Sequence, residues 1–250
     1  GGILIEELDV RENPFGLLAF RTIGQRKKDS LRGIGLEAAY NTELEGREGK
    51  RLMQRIVGGN WIPISDDNDV EPLNGYDIYT TIDMRMQDIA EHALEKALVD
   101  NKASYGCAIL METSTGAIKA IANLKRNDQD QVSEAENYAI SQATEPGSTF
   151  KLASVLCLLE DGYANDYETV SSEDGTTTYG DKVMRDSEHG GKGMLSLQRS
   201  FELSSNVGIS KFVWKYYRNN PSRFVDRLKN DFKLGQSLKI GFPDERVYPF

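Results

Sequence analysis

Cysteine and histidine are scarce in this sequence, long apolar runs are absent and basic charge is in deficit. Each shortage closes off a class of protein. The 250 residues hold two cysteines, Cys107 and Cys157, and two histidines, His92 and His189. Two cysteines build no disulfide framework, and lone cysteines flanked by apolar residues are most often buried thiols, so compartment cannot be read from them. The histidines stand about a hundred residues apart without metal-ligand spacing, which sets aside a zinc site. No stretch reaches 18 apolar residues, so neither a spanning helix nor a signal peptide is legible. Residues Gly1 to Val10 already read as strand and carry no start-of-protein signal, so a missing upstream segment is expected. Lys and Arg number 30 against 39 Asp and Glu, a formal net charge of −9, which argues against nucleic acid as a partner.

What is present centres on Glu145-Pro146-Gly147-Ser148-Thr149-Phe150-Lys151. Pro146 and Gly147 form a turn, and Leu152, Val155, Leu156 and Leu159 recur at helical spacing until Gly162 stops them, which predicts Ser148 in the first turn of a buried helix. Lys151 then lies on the same face, because side chains three apart on a helix are neighbours. A serine hydroxyl needs a base to become a nucleophile, and a lysine serves once burial lowers its pKa from about 10.4. The helix start adds unpaired backbone N–H groups, that of Ser148 among them, where an oxyanion would form. Ser-x-x-Lys alone also arises by chance in ordinary helices.

The context narrows it. Pro-Gly-Ser-x-Phe-Lys ahead of an apolar helix, with Ser204-Ser205-Asn206 between two helical stretches further on, matches the first two motifs of the penicillin-recognising serine acyltransferases. The chain resembles a penicillin-binding protein. Upstream, Arg11, Pro14, Gly16, Ile23-Gly24, Gly35-x-Glu37, Tyr40, Leu44-x-Gly46 and Gly49 resemble the non-catalytic module that precedes the transpeptidase domain of class B penicillin-binding proteins, a module that serine β-lactamases lack.

The resemblance implies an α+β fold, a transpeptidase domain with an antiparallel sheet flanked by helices on both sides, preceded by part of a mixed α/β pedestal. The boundary is expected in the Pro- and acid-rich stretch 61–75, giving residues 1–74 and 75–250. The acids Asp66, Asp67, Asp69 and Glu71 could hold a cation but read more simply as a solvated face. The implied activity is peptidoglycan D,D-transpeptidation. Ser148 is the nucleophile on a D-Ala-D-Ala stem peptide and Lys151 the base. Ser204 shuttles the proton, Asn206 positions Lys151 and the substrate amide, and Arg11 with Glu37 plays a structural part, as an ion pair. No metal or organic cofactor is needed. Implied ligands and partners are stem peptides, β-lactams, a membrane glycosyltransferase and division proteins, with a single membrane anchor and a catalytic domain outside the cytoplasmic membrane. The module around Gly35 and Glu37 resembles the division-specific type more than the elongation type. A third family motif, Lys-Thr/Ser-Gly, is absent from the sequence, which leaves the site incomplete and the chain expected to be a fragment. A β-lactamase or carboxypeptidase would use the same Ser and Lys, and a catalytically silent scaffold could keep the fold.

Local patterns add further expectations. Tyr76–Thr81 alternates as a strand, and Thr81 or Asp83 caps a helix striped by Ile89, Ala90, Ala93, Leu94, Ala97 and Leu98. Residues 106–111 and 117–122 form a hairpin about Ser114-Thr115-Gly116, and residues 125–135 read as polar and mobile. A second hairpin falls at Tyr179-Gly180-Asp181-Lys182. Gly190-Gly191-Lys192-Gly193 reads as a loop more readily than an anion cradle. Pro221 is expected to end a helix, and Phe224, Leu228 and Phe232 stripe the next.

Overall fold

The computed structural model describes residues 11–25, 33–64, 69–165, 167–187 and 191–242. The strand expected over the first ten residues, Asp66 and Asp67, His189, Gly190 and the closing Tyr248-Pro249-Phe250 lie outside them. The described chain falls into two compact units, residues 11–142 with 239–242 and residues 143–238. The stretch 61–75 lies within the first. No helix among the described residues is long and apolar enough to cross a membrane.

In the first unit, short helices α1 (Phe20–Ile23), α2 (Gly35–Ala39) and α3 (Asn41–Glu45) precede an antiparallel hairpin of β1 (Met53–Arg55) and β2 (Trp61–Pro63). The glycines here answer to crowding. A Cβ on Gly24 would fall 1.7 Å from the Ile34 carbonyl oxygen, and one on Gly35, at φ +67°, would fall 2.7 Å from the Gly24 backbone. Only residues without a Cβ allow that approach.

Residues 76–81 form no strand: the stretch lacks a ladder, and Tyr76 and Tyr79 are exposed. Thr81 spends its hydroxyl on the Ile118 carbonyl, 2.7 Å away, so Asp83 caps α4 (Met84–Asp100), accepting from the Arg85 and Met86 amides. Helix α4 packs on the antiparallel sheet of β3 (Tyr105–Met111), β4 (Ile118–Arg126) and β5 (Val132–Glu134). Its inward face holds only part of the predicted apolar stripe, Leu98 with the half-buried Ala90 and Leu94. Ile89 is 68% exposed, and the buried residues are Leu98 and Gln87. The Gln87 amide bonds both backbone groups of Ile121, at 2.8 and 3.0 Å, so a polar side chain is satisfied at the centre of the contact.

The stretch expected to be mobile closes the sheet. Asn127 Oδ1 accepts from the Gln129 and Gln131 amides and turns β4 into β5, after which α5 (Tyr138–Ser141) stacks Tyr138 on Tyr105. Cys107 is exposed, contrary to the buried-thiol expectation, because strand alternation gives Gly106 to α4 and turns Cys107 to the other face. Cys157 is buried.

The second unit begins with a 3-10 turn, Gly147–Thr149, running into α6 (Phe150–Glu160). There follow β6 (Thr169–Ser171), β7 (Thr176–Tyr179), β8 (Lys182–Arg185), β9 (Met194–Ser196), α7 (Leu197–Glu202), α8 (Asn206–Tyr217) and α9 (Pro221–Asn230). Strand β6 pairs with β9, and β7 with β8 through the expected turn. Pro221 opens α9 instead of ending a helix, since its fixed φ and missing N–H suit the first helical position.

The core gathers Cys157, Leu158, Val170, Leu197, Ile209, Phe212, Tyr217 and Leu228. Helix α6 therefore turns Ser154, Cys157 and Leu158 inward, while Leu152, Leu156 and Leu159 are 50%, 36% and 52% exposed. Lys151 lies one turn above Ser154 on the inward face. At the far end of α6, Asp161, whose side chain is wholly buried, accepts from Tyr217 Oη at 2.7 Å and from Arg223 and Arg227, tying α6 to α8 and α9.

Candidate active site

Three side chains from two segments meet at one point. The turn at Pro146-Gly147, with Gly147 at φ +57°, lifts Ser148 onto the surface just ahead of α6. Lys151, from the first turn of α6, places Nζ 2.9 Å from Ser148 Oγ. Ser204, from the loop between α7 and α8, places Oγ 2.9 Å from Lys151 Nζ and 3.1 Å from Ser148 Oγ. The ammonium also donates to the Ser204 carbonyl at 2.7 Å.

This closeness depends on a sharp turn. Ser204 adopts φ +52°, a left-handed conformation that costs a residue with a Cβ of order 1–3 kcal/mol and persists only where its surroundings impose it. The imposition is local: the Ser204 amide donates to Phe201 O at 3.0 Å and the Ser205 amide to Ser200 O at 2.8 Å. Gly208 lets α8 approach α7, because a Cβ there would lie 2.4 Å from Ser200 Oγ. Ser205, buried, accepts from the Gly208 amide and caps α8.

Burial lowers the Lys151 pKa from its ordinary value, with the nearby Asp186 carboxylate opposing the shift. A lysine moved in that direction has a larger neutral fraction able to take a proton from Ser148.

Of the residues singled out from the sequence, Ser148, Lys151 and Ser204 are within hydrogen-bonding distance of one another. Asn206 stands beside them but its amide donates to the Arg185 carbonyl at 2.7 Å rather than to Lys151. Lys151 and Asn206 border a cavity of about 700 Å³ walled by Phe150, Tyr179, Ile209 and Trp214. Arg11 and Glu37 belong to the first unit, where Nη1 and Oε2 are 2.6 Å apart and Arg11 also donates to Gly24 O at 3.2 Å. Among the described residues no three His, Cys, Asp or Glu side chains are grouped to hold a metal.

Asp186 was not legible beforehand. It follows β8 without a motif around it, and only the fold brings it to the 204–207 loop.

The family described as the penicillin binding protein transpeptidase domain matches residues 106–247, more than half the chain. Curated relatives include the penicillin-binding protein PbpB of Mycolicibacterium smegmatis, 29% identical over 96% of this chain and 37% of that protein. Another is the peptidoglycan D,D-transpeptidase FtsI of Escherichia coli K12, 28% identical over 99% of this chain and 42% of that protein. The chain thus spans about two-fifths of the length of these relatives. Penicillin binding protein 3 from Mycobacterium tuberculosis shares the fold with a TM-score of 0.76 at 24% identity, covering 95% of this chain and 50% of that structure.

Proposed function

Because the chain belongs to the penicillin-binding protein transpeptidase family, we propose that it carries the nucleophile segment of a class B peptidoglycan D,D-transpeptidase acting in septal cell-wall synthesis. The observation that carries this reading is the triangle of Ser148 Oγ, Lys151 Nζ and Ser204 Oγ, every side within 3.1 Å.

In the proposed reaction, neutral Lys151 takes the Ser148 proton as Oγ attacks the carbonyl of the penultimate D-Ala of a stem peptide. The Ser148 N–H faces the resulting oxyanion. As the intermediate collapses, the C–N bond breaks and the proton passes from Lys151 through Ser204 Oγ to the departing D-Ala amine. An ester joins the donor to Ser148. The amine of a second stem then attacks that ester, gives its proton back along the same route, and frees Ser148 with a new peptide bond made. A β-lactam follows the first half, but its ring-opened amine stays tethered and the enzyme stalls as the acyl form. Asn206, at the cavity edge, is proposed to hold the substrate amide. Arg11 and Glu37 are proposed to brace the pedestal, residues 1–74, before the catalytic portion, residues 75–250. A membrane anchor, an extracytoplasmic location, a glycosyltransferase partner and division proteins complete the proposal.

The test is turnover by the full-length protein of a donor ending in D-Ala-D-Ala, with and without an amine acceptor. Release of D-Ala with acceptor-dependent product and loss of both in Ser148→Ala is the expected result. Release to water alone, unaffected by acceptor, would replace the transpeptidase with a hydrolase.

A further inference from the structure

We infer that Asp186 is a positioning residue of the acyl-transfer site, the anchor that holds the Ser204 loop against Lys151. This rests on the serine acyl-enzyme reading above and adds to it a residue outside the Ser-x-x-Lys and Ser-Ser-Asn motifs.

The carboxylate is bound at both oxygens by consecutive parts of that loop. Oδ2 accepts from Ser205 Oγ at 2.8 Å, and Oδ1 accepts from the Val207 amide at 2.8 Å. The backbone carbonyl of its neighbour Arg185 accepts from Asn206 Nδ2 at 2.7 Å, so the end of β8 holds residues 205, 206 and 207 in succession. Asp186 is itself fixed, its amide donating to Gly175 O at 2.8 Å. A carboxylate at the first turn of the 12-residue helix α8 also meets the positive end of the helix dipole. The residue beside the anchored group is Ser204, with its left-handed backbone and its carbonyl and hydroxyl both on Lys151 Nζ. Ser204 makes no contact of its own with β8 among the hydrogen bonds described, so the anchor reaches it through Ser205.

The same carboxylate acts on Lys151 by charge. Around Nζ stand the hydroxyls of Ser148 and Ser204, the Ser204 carbonyl and, further off on the β8 side, Asp186, whose negative charge favours the ammonium. Removing that charge lets burial lower the lysine further, so the acid limb of the acylation profile moves to lower pH. A residue that only helped the chain fold would slow acylation at every pH and leave the limb where it was.

The experiment measures acylation of the full-length protein by a fluorescent penicillin from pH 5 to 10, for wild type, Asp186→Asn, Asp186→Glu and Ser205→Ala. Asp186→Asn is expected to slow acylation roughly ten-fold or more, as misplacement of a reacting group does, with the acid limb moved to lower pH. Asp186→Glu is expected to restore the limb but only part of the rate. Ser205→Ala, which removes one bond and no charge, is expected to slow acylation without moving the limb, and it carries the test if Asp186→Asn does not fold. Wild-type rate and limb in both Asp186→Asn and Ser205→Ala would overturn the inference. A wild-type protein that never acylates Ser148 would instead remove the acyl-enzyme reading beneath it.

Discussion

Lys151 holds its place because its helix turns the flank of Ser154, Cys157 and Leu158 to the interior rather than Leu152, Leu156 and Leu159. The inward residues of α6 are Lys151, Ser154, Cys157 and Leu158, and the ammonium ends this row between two hydroxyls. Lys151→Ala is expected to slow acylation by roughly 10²–10⁴-fold and to erase the acid limb, read by stopped-flow with a chromogenic β-lactam. An unchanged limb would show that another group titrates. A second titration lies in the first unit. Glu134 is pushed up to about 7, chiefly by burial, while its Oε2 accepts from the Arg21 amide at 2.6 Å. The folded state thus holds a proton that the unfolded chain has lost above about 4.5. The stability this gives is full below that value and drains away as pH rises through about 7. Glu134→Gln should therefore gain on the wild type as pH rises between the two, by about 1–2 kcal/mol after allowance for solvent screening, in denaturant melts at pH 5 and 8. An equal difference at both would contradict it.

At the scale of elements, capping and close approach were readable where a side chain answers to its own backbone, and unreadable where it answers to another element. Asp83, one of the two caps expected before α4, and the turn at Gly180 follow from local chemistry and stand as expected. Gln87 at the centre of the α4–sheet contact, Pro221 at the head of α9 and the hairpin at 127–131 do not, since each depends on which surface is near. The leucine stripe of α6 misled for the same reason: spacing finds a face but not the neighbour that fills it. Asp83→Ala is expected to cost about 1 kcal/mol in chemical denaturation. Gly208→Ala, which would push Ser200 and Ser205 apart, is expected to cost about 1–3 kcal/mol and to slow acylation of the protein that remains folded. Native acylation in Gly208→Ala would mean that the Ser204 loop tolerates a shift of α8. Asp161→Ala takes away the carboxylate shared by Tyr217, Arg223 and Arg227, leaving Arg227 with Asp231, and is expected to lower the denaturation midpoint. The paired arginines hold the Asp161 carboxyl well below its ordinary range, so its contribution is present above pH 4 and lost on acidification.

For the whole molecule, the sequence carried the family and singled out Ser148, Lys151 and Ser204, which the fold brings together, because all three lie in short motifs whose spacing is set by one helix or one loop. It did not carry Asp186, which is 18 residues from Ser204, follows the β7–β8 hairpin and reaches Ser204 through the buried Ser205. Nor did it carry the Asn206 amide's bond to Arg185, a contact that exists only once β8 is in place. The Lys-Thr/Ser-Gly motif expected from the resemblance is absent from these 250 residues, so the full-length protein and this chain alone make different tests. The most direct measurement is intact-mass spectrometry of both after incubation with a labelled penicillin, with Ser148→Ala as control. One adduct is expected on the full-length protein, abolished by Ser148→Ala, and little or none on this chain. A folded full-length protein that gains no adduct, or gains one that survives Ser148→Ala, would contradict the acyl-enzyme reading and leave a catalytically silent scaffold or a different nucleophile in its place.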